Sequence, residues 1–139
     1  MNAQEIVDLL GLEPHPEGGW YKQMFADEAS GGRPHSTAIY YLLEGGPADR
    51  WHRVDSAEVW HYYAGAPLRL TISPDGAATS EQILGQDLFD GQRPQIVIPR
   101  GQWQAAQSLG NWTLVGCTVA PGFQFEHFEM AEESWKPGD

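Results

Sequence analysis

Breakers dominate this chain: 16 glycines and 10 prolines punctuate its 139 residues, so few segments can extend far before a turn. The pairs and triplets Gly31-Gly32, Gly45-Gly46-Pro47, Gly65-Ala66-Pro67, Pro74-Asp75-Gly76, Asp90-Gly91, Pro99-Arg100-Gly101, Gly110-Asn111 and Pro121-Gly122 stand between apolar or alternating stretches. Those stretches predict nine strands, at 20–25, 37–43, 50–54, 58–64, 68–72, 80–84, 95–98, 104–109 and 112–120. Short strands at close spacing, without helical segments between them, predict an all-β sandwich or barrel rather than a parallel βαβ sheet.

One helix is expected, over residues 3–10. Asn2 is placed to cap it, with Glu5 as the capping-box partner; Ile6, Leu9 and Leu10 form the apolar stripe and Gly11 ends it. The run Pro14-His15-Pro16-Glu17-Gly18-Gly19 reads as a loop, and Glu17-Gly18-Gly19 within it as a turn, with a lid over a site as the alternative. No linker or repeat divides the chain, so residues 1–139 are expected to form a single domain, large enough to fold without disulfides or a structural metal.

Nineteen acidic against eight basic residues give a net charge of −11. Nucleic acid and anionic membrane are poor partners for that balance, because binding to them draws on Lys and Arg against phosphate. Glu126, Glu129, Glu132, Glu133 and Asp139 read as a solvated C-terminal tail. Cys117, the one cysteine, lies in the apolar run 114–119 and reads as a packed thiol. No apolar run has membrane-spanning length, and the first residues lack the basic and apolar regions of a signal peptide, so a cytoplasmic protein is expected.

Two segments carry chemistry. In the first, Gly46, His52, Glu58 and Gly65 stand at the spacing of a Gly, five residues, His-x-His, three or four residues, Glu, six residues, Gly; Val54 occupies the place of the second His. The second, Pro99-Arg-Gly101-Gln-Trp-Gln104, follows Pro-x-Gly-x-x-His with Gln104 in place of the His. Alternate residues of a strand share a face, so His-x-His aims two imidazoles into a barrel, and the Glu returns on a neighbouring strand. With a late His, such a set holds a divalent metal. Here His52 and Glu58 remain of it.

These segments resemble the two motifs of the cupins. The runs Leu12–Gly19, Ser36–Leu43, Trp51–Ser56, Glu58–Gly65 and Gly116–Phe123 are similar to an RmlC-like cupin family of the Cupin_5 type. The resemblance implies a cupin double-stranded β-helix (jelly roll) with a short N-terminal helix, commonly a homodimer, and implies no particular activity.

Three functions are compatible with these residues. The favoured one is a small-molecule site in the barrel, with no cofactor and no metal, in which His52 and Glu58 form an acid/base pair and Trp60, Tyr62, Trp103 and Gln104 bind the ligand; the ligand is polar and organic, carbohydrate or nucleotide-sugar-like. The second is a metal-dependent enzyme using His52, Glu58, Gln104 and His61. The third is a non-catalytic binding or interaction module. Period-two counting puts Trp60 and Tyr62 on the face of Glu58 and His61 on the other, unless a bulge intervenes. Arg33 and His35 are read as solvent-exposed loop residues.

Overall fold

A computed structural model describes residues 1–139. Its elements are α1 (Ala3–Leu10), β1 (Glu13–Pro14), β2 (Trp20–Ala26), β3 (Thr37–Glu44), β4 (His52–Val54), β5 (Ala57–Gly65), β6 (Leu68–Ser73), β7 (Ser80–Leu84), β8 (Gln95–Ile98), β9 (Trp103–Ser108), β10 (Trp112–Ala120) and β11 (Phe128–Met130). The strands pair antiparallel into a six-stranded sheet, β1-β2-β3-β10-β5-β8, and a five-stranded sheet, β11-β4-β9-β6-β7. The protein is thus mostly β, with the two-sheet architecture of a jelly roll.

The nine expected strands are all present. β1 and β11 join them in stretches read as loop and tail. Pro14 lacks an N–H, yet it sits opposite Trp20 at the outer edge of the sheet, where no donor is needed. β11 pairs with β4, so the acidic C-terminal segment is partly built into the second sheet.

Asn2 and Glu5 form the capping box, each side chain meeting the other's backbone N–H at 2.9 Å. The helix lies on the outer face of the six-stranded sheet, burying Ile6 and Val7 with Leu12 against Leu42. Val7, rather than Leu9, completes the stripe: after Gly11 the chain turns back, Leu12 N–H bonds to the Val7 carbonyl at 3.0 Å, and Leu9 is left in solvent.

Between the sheets, alternation holds on β5: Glu58 and Trp60 are buried inside, Tyr62 packs on the core, and Tyr63 is exposed outside. Val115 of β10 faces Tyr62 while Leu114 faces Ala64, so the bulge falls at Tyr63, beyond His61. His61 therefore stays outside, its Nε2 3.0 Å from Thr118 Oγ1. Gly65, at the end of this strand, has φ +90°, and a Cβ there would lie 2.5 Å from the Trp112 carbonyl oxygen; the motif's last glycine is required by backbone conformation and close approach. The dry core gathers Trp60, Leu68, Leu70, Leu84 and Val115 toward one end of the barrel.

Candidate functional site

At the other end the two sheets part around a cavity of about 210 Å³. Tyr21, Ile39, Tyr41, Glu58 and Cys117 line it from the six-stranded sheet, and His52, Val54 and Phe128 from the five-stranded one. His15 and Glu17 enter from the loop after β1, and Phe123 and Phe125 from the segment before β11.

Local structure explains why Glu17 points inward. The loop closes on itself through His15 N–H to the Gly19 carbonyl at 2.9 Å and Gly18 N–H to the His15 carbonyl at 3.0 Å. Gly19 has φ +80° and lies so close to Tyr41, Leu42 and Leu43 that a Cβ would meet them at 2.7–2.9 Å. Only glycine permits this turn, which presses the loop onto β3 and tucks the Glu17 side chain under it. Arg50 N–H then bonds to the Glu17 carbonyl at 2.9 Å, tying the loop to the strand that carries His52.

His52 and Glu17 meet there: Nε2 lies 3.2 Å from Glu17 Oε2, and both side chains are almost fully buried. On the other side of the ring Nδ1 is 2.8 Å from the Arg50 carbonyl oxygen, which can only accept. Nδ1 therefore carries a proton, and Nε2 is the nitrogen that faces Glu17. Burial, and next the charge of Glu58, push the Glu17 carboxyl well above the usual carboxylate range. Asp49 stands behind Glu17, its Oδ1 accepting the Ala106 N–H at 2.6 Å. Its carboxyl too is held well above the ordinary range, by burial first and by Glu17 second. Geometry agrees. Tyr41 Oη lies 2.6 Å from the Gly18 carbonyl and 3.1 Å from Asp49 Oδ2, and its single proton serves only one of them. A proton on Asp49 satisfies the other.

Glu58 also lines the cavity, but no His52 nitrogen comes within salt-bridging reach of it. Instead Glu58 Oε1 accepts from Gln104 Nε2 at 2.8 Å, and Gln104 Oε1 accepts from Trp60 Nε1 at 3.0 Å. Burial raises the Glu58 carboxyl, opposed by the charge of His52 and the hydrogen bonds of Gln104 and Cys117. Cys117 is buried as expected, yet it lines the cavity rather than the dry core alone. His15 packs on Tyr21, ring centroids 4.6 Å apart, and its Nδ1 accepts the Glu17 N–H at 3.1 Å. Burial, and next the charge of His52, lower it to about 4, so it stands neutral.

Of the residues expected from sequence, His52 and Glu58 reach the cavity, and His52 pairs with Glu17 rather than with Glu58. Trp60, Tyr62, Trp103 and Gln104 do not line it. Trp60 belongs to the dry core, with Tyr62 packed against it. Trp103 stacks on Trp135 and under Arg53 on the outside of the second sheet. Gln104 is spent on bonds to Trp60 and Glu58. The aromatic wall is built instead from Tyr21, Tyr41 and Phe128, with Phe123 and Phe125 over the mouth. From the sequence Glu17 reads only as part of a turn or lid, and Asp49 and these phenylalanines are not singled out. The available signal was position: Glu17 within His15-Pro-Glu-Gly-Gly19, Asp49 inside the first motif, and three closely spaced Phe after Pro121-Gly122.

The four metal-holding positions of the cupin motifs fall here on His52, Val54, Glu58 and Gln104. Val54 offers no donor, and both ends of the Gln104 amide are engaged, so this set does not fit a metal ion. His61, on the outer face, cannot complete it. Arg33 is also less free than its loop suggests: it holds Asp55 through two bonds and the Gly122 carbonyl through Nε at 2.6 Å, anchoring the start of the segment that bears Phe123; His35 stays exposed.

Similarity to known proteins agrees with this architecture. The family model described as Cupin superfamily (DUF985), Cupin_5, matches residues 4–131. Protein SO0799 from Shewanella oneidensis is 35% identical, with a TM-score of 0.88 over 94% of this chain and 85% of that one. A hypothetical protein from Leishmania major is 28% identical, with a TM-score of 0.83 over 93% and 86% of the two chains. Oxalate decarboxylase from Bacillus subtilis shares the fold alone, at 14% identity and a TM-score of 0.65, and the chain spans 29% of it. No curated protein matches the chain. From its motifs, its two antiparallel sheets and the family match over most of its length, the chain belongs to the Cupin_5 family of the cupin superfamily.

Proposed function

We propose that the protein binds a small organic molecule in the barrel cavity and exchanges a proton with it through Glu17 and His52. The observation that carries this reading is the 3.2 Å contact between Glu17 Oε2 and His52 Nε2 on the cavity wall, with His52 Nδ1 fixed by the Arg50 carbonyl. An imidazole whose other nitrogen is held, beside a buried carboxyl, is suited to acid/base work. The cavity, about 210 Å³, is smaller than the roughly 300–1,000 Å³ of pockets for drug-sized ligands. A nucleotide sugar is too large for it, and no Lys or Arg lines it to meet a pyrophosphate.

Ligand-observed NMR with a library of small fragments tests the reading. Hits are expected that bind wild type, lose binding when Val54→Trp fills the cavity, and weaken in His52→Ala. No hits, or hits indifferent to Val54→Trp, would sink it. For fragments with an acidic C–H, deuterium uptake from D2O that disappears in Glu17→Gln and His52→Ala then reports proton exchange.

A second reading has its own observation: ligand atoms of Glu17, Asp49 and His52 all lie within 4.8 Å of one another, a set able to hold a divalent cation. Elemental analysis after metal-supplemented expression decides; near one equivalent per chain, lost in Glu17→Gln, would favour it. We also propose a homodimer through the outer face of the six-stranded sheet, where Met24, Tyr63 and Val97 are exposed. Light scattering should give twice the chain mass, and a monomer would refute it. A cytoplasmic location belongs to the same reading, supported by a single, buried, free thiol. No helix is long and apolar enough to cross a membrane.

A further inference from the structure

The cavity combines an acidic floor with an aromatic wall and contains no fixed positive charge. Glu17 and Glu58 both line it, and Asp49 stands directly behind Glu17. No Lys or Arg side chain reaches it. The two imidazoles present do not offset three carboxyls: His15 already accepts a backbone N–H on Nδ1 and packs among aromatic rings, and His52 gives one of its two N–H sites to the Arg50 carbonyl. Glu17 is only 6% exposed, yet its carboxyl receives no backbone N–H; the nearest nitrogens are His52 Nε2 at 3.2 Å and His15 Nδ1 at 3.9 Å. The Tyr41 hydroxyl and the Asp49 carboxyl also approach this carboxyl, which still lines the cavity. Around this floor stand Tyr21, Tyr41 and Phe128, whose faces attract a cation held against them.

We infer that the cavity selects a small organic cation, an ammonium or amidinium group carried on a compact apolar body. The inference rests on the reading that the cavity binds a small organic molecule, and names its class. The N–H donors of the cation meet the oxygens of Glu17 and Glu58, and its apolar body fills the space between the rings. A carboxylate ligand finds no Lys or Arg and keeps the carboxyls of the floor protonated. A neutral ligand gains the wall and leaves the floor uncompensated. A bare metal ion uses the floor and has no need of the wall.

Proton linkage follows from the same geometry. The titratable groups that face Glu17 are His15 on its own loop, Tyr41 on β3, Asp49 on the segment entering β4, His52 on β4 and Glu58 on β5. Cys117 on β10 and Tyr21 on β2 complete the ring. Burial favours the protonated form of Glu17, Asp49 and Glu58 while the cavity holds no ligand. An entering cation displaces a proton, so its affinity rises with pH; an anion would show the opposite slope.

Three probes of nearly one shape separate the outcomes: benzylammonium, benzyl alcohol and benzoate, titrated calorimetrically into the full chain near pH 8. Benzylammonium is expected to bind at least about tenfold more tightly than benzyl alcohol, and benzoate more weakly than either. Heats measured in buffers of different ionisation enthalpy should show proton release with benzylammonium. Glu17→Gln and Glu58→Gln keep the side-chain shape. Each is expected to erase most of the preference, and an unchanged circular dichroism spectrum with cooperative urea unfolding reports that the variant is folded. Equal affinity for the three probes, or tighter binding of benzoate, overturns the inference and leaves the cavity a binding site. Binding of none overturns both. Displacement of benzylammonium by Zn²⁺, with Zn²⁺ the tighter ligand, overturns it in favour of a metal centre.

Discussion

The two ends of the barrel interior are built by the same strands and differ in one respect, the residue that each strand turns inward. β5 sends Trp60 into the dry end and Glu58 into the cavity; β9 sends Ala106 into the dry end and Gln104 to the boundary. β10 places Val115 in the dry end and Cys117 where the cavity begins. At the dry end apolar atoms meet apolar atoms, and stability comes from burial and close packing. At the wet end Glu17, Asp49, His52 and Glu58 are buried with few donors among them, an arrangement that works against stability unless protons or a ligand satisfy it. Gln104 separates the two regimes, bonding the last core ring on one side and the first carboxyl on the other.

The contrast is open to test by substitution. The largest effect belongs to the dry end. Trp60→Ala removes a side chain only 1% exposed from the centre of packing and should cost about 3–5 kcal/mol in urea denaturation. A loss of less than about 1 kcal/mol would show that the end is loosely packed. At the boundary, Gln104→Leu keeps the volume but leaves Trp60 Nε1 without an acceptor and Glu58 without its donor, for an expected loss of about 1–3 kcal/mol.

In the wet end the sign reverses. The Glu17 carboxyl is raised in the folded protein above its ordinary 4.5, so the folded state holds a proton that the unfolded chain has released. Its contribution is fully present below about pH 4.5 and is lost as pH rises through the folded-state value. Glu17→Gln cannot ionise and should escape that loss. Its stability relative to wild type should climb as pH increases from 4.5 toward neutral. Urea titrations at several pH values measure the difference, and a constant offset between the two proteins would contradict the account. His15 acts in the opposite direction. Lowered to about 4 from 6.5, it stabilises the fold increasingly as pH rises across that interval, so the wild-type profile should be flatter than that of Glu17→Gln.

The sequence reached most of the fold because short alternating strands and their breakers are local signals. All nine expected strands formed, and the boundary shifts at β4 and β9 are one or two residues. β1 and β11 escaped because two- and three-residue edge strands owe their existence to partners distant in the chain. The site was half legible. His52 and Glu58 stood at motif positions, and period two correctly turned His61 outward. Glu17 looked like part of a turn, because its burial depends on a glycine turn docking onto β3. Trp60 and Tyr62 were placed on the correct face but at the wrong depth: alternation tells which side of a strand a residue takes and not which end of the barrel it meets. The phenylalanines of the mouth were hidden among exposed glutamates in a segment that reads as a tail.

The central claim is that only one end of this interior is a binding site, and methyl NMR tests it most directly. In a sample labelled at Ile, Leu and Val methyls and titrated with benzylammonium, Ile39, Val54 and Val119 line the cavity, while Leu68, Leu70 and Leu84 report the dry end. The account predicts saturable shifts at the first three and none at the second three. Shifts at the dry-end leucines, or none at Ile39, Val54 and Val119, would contradict it.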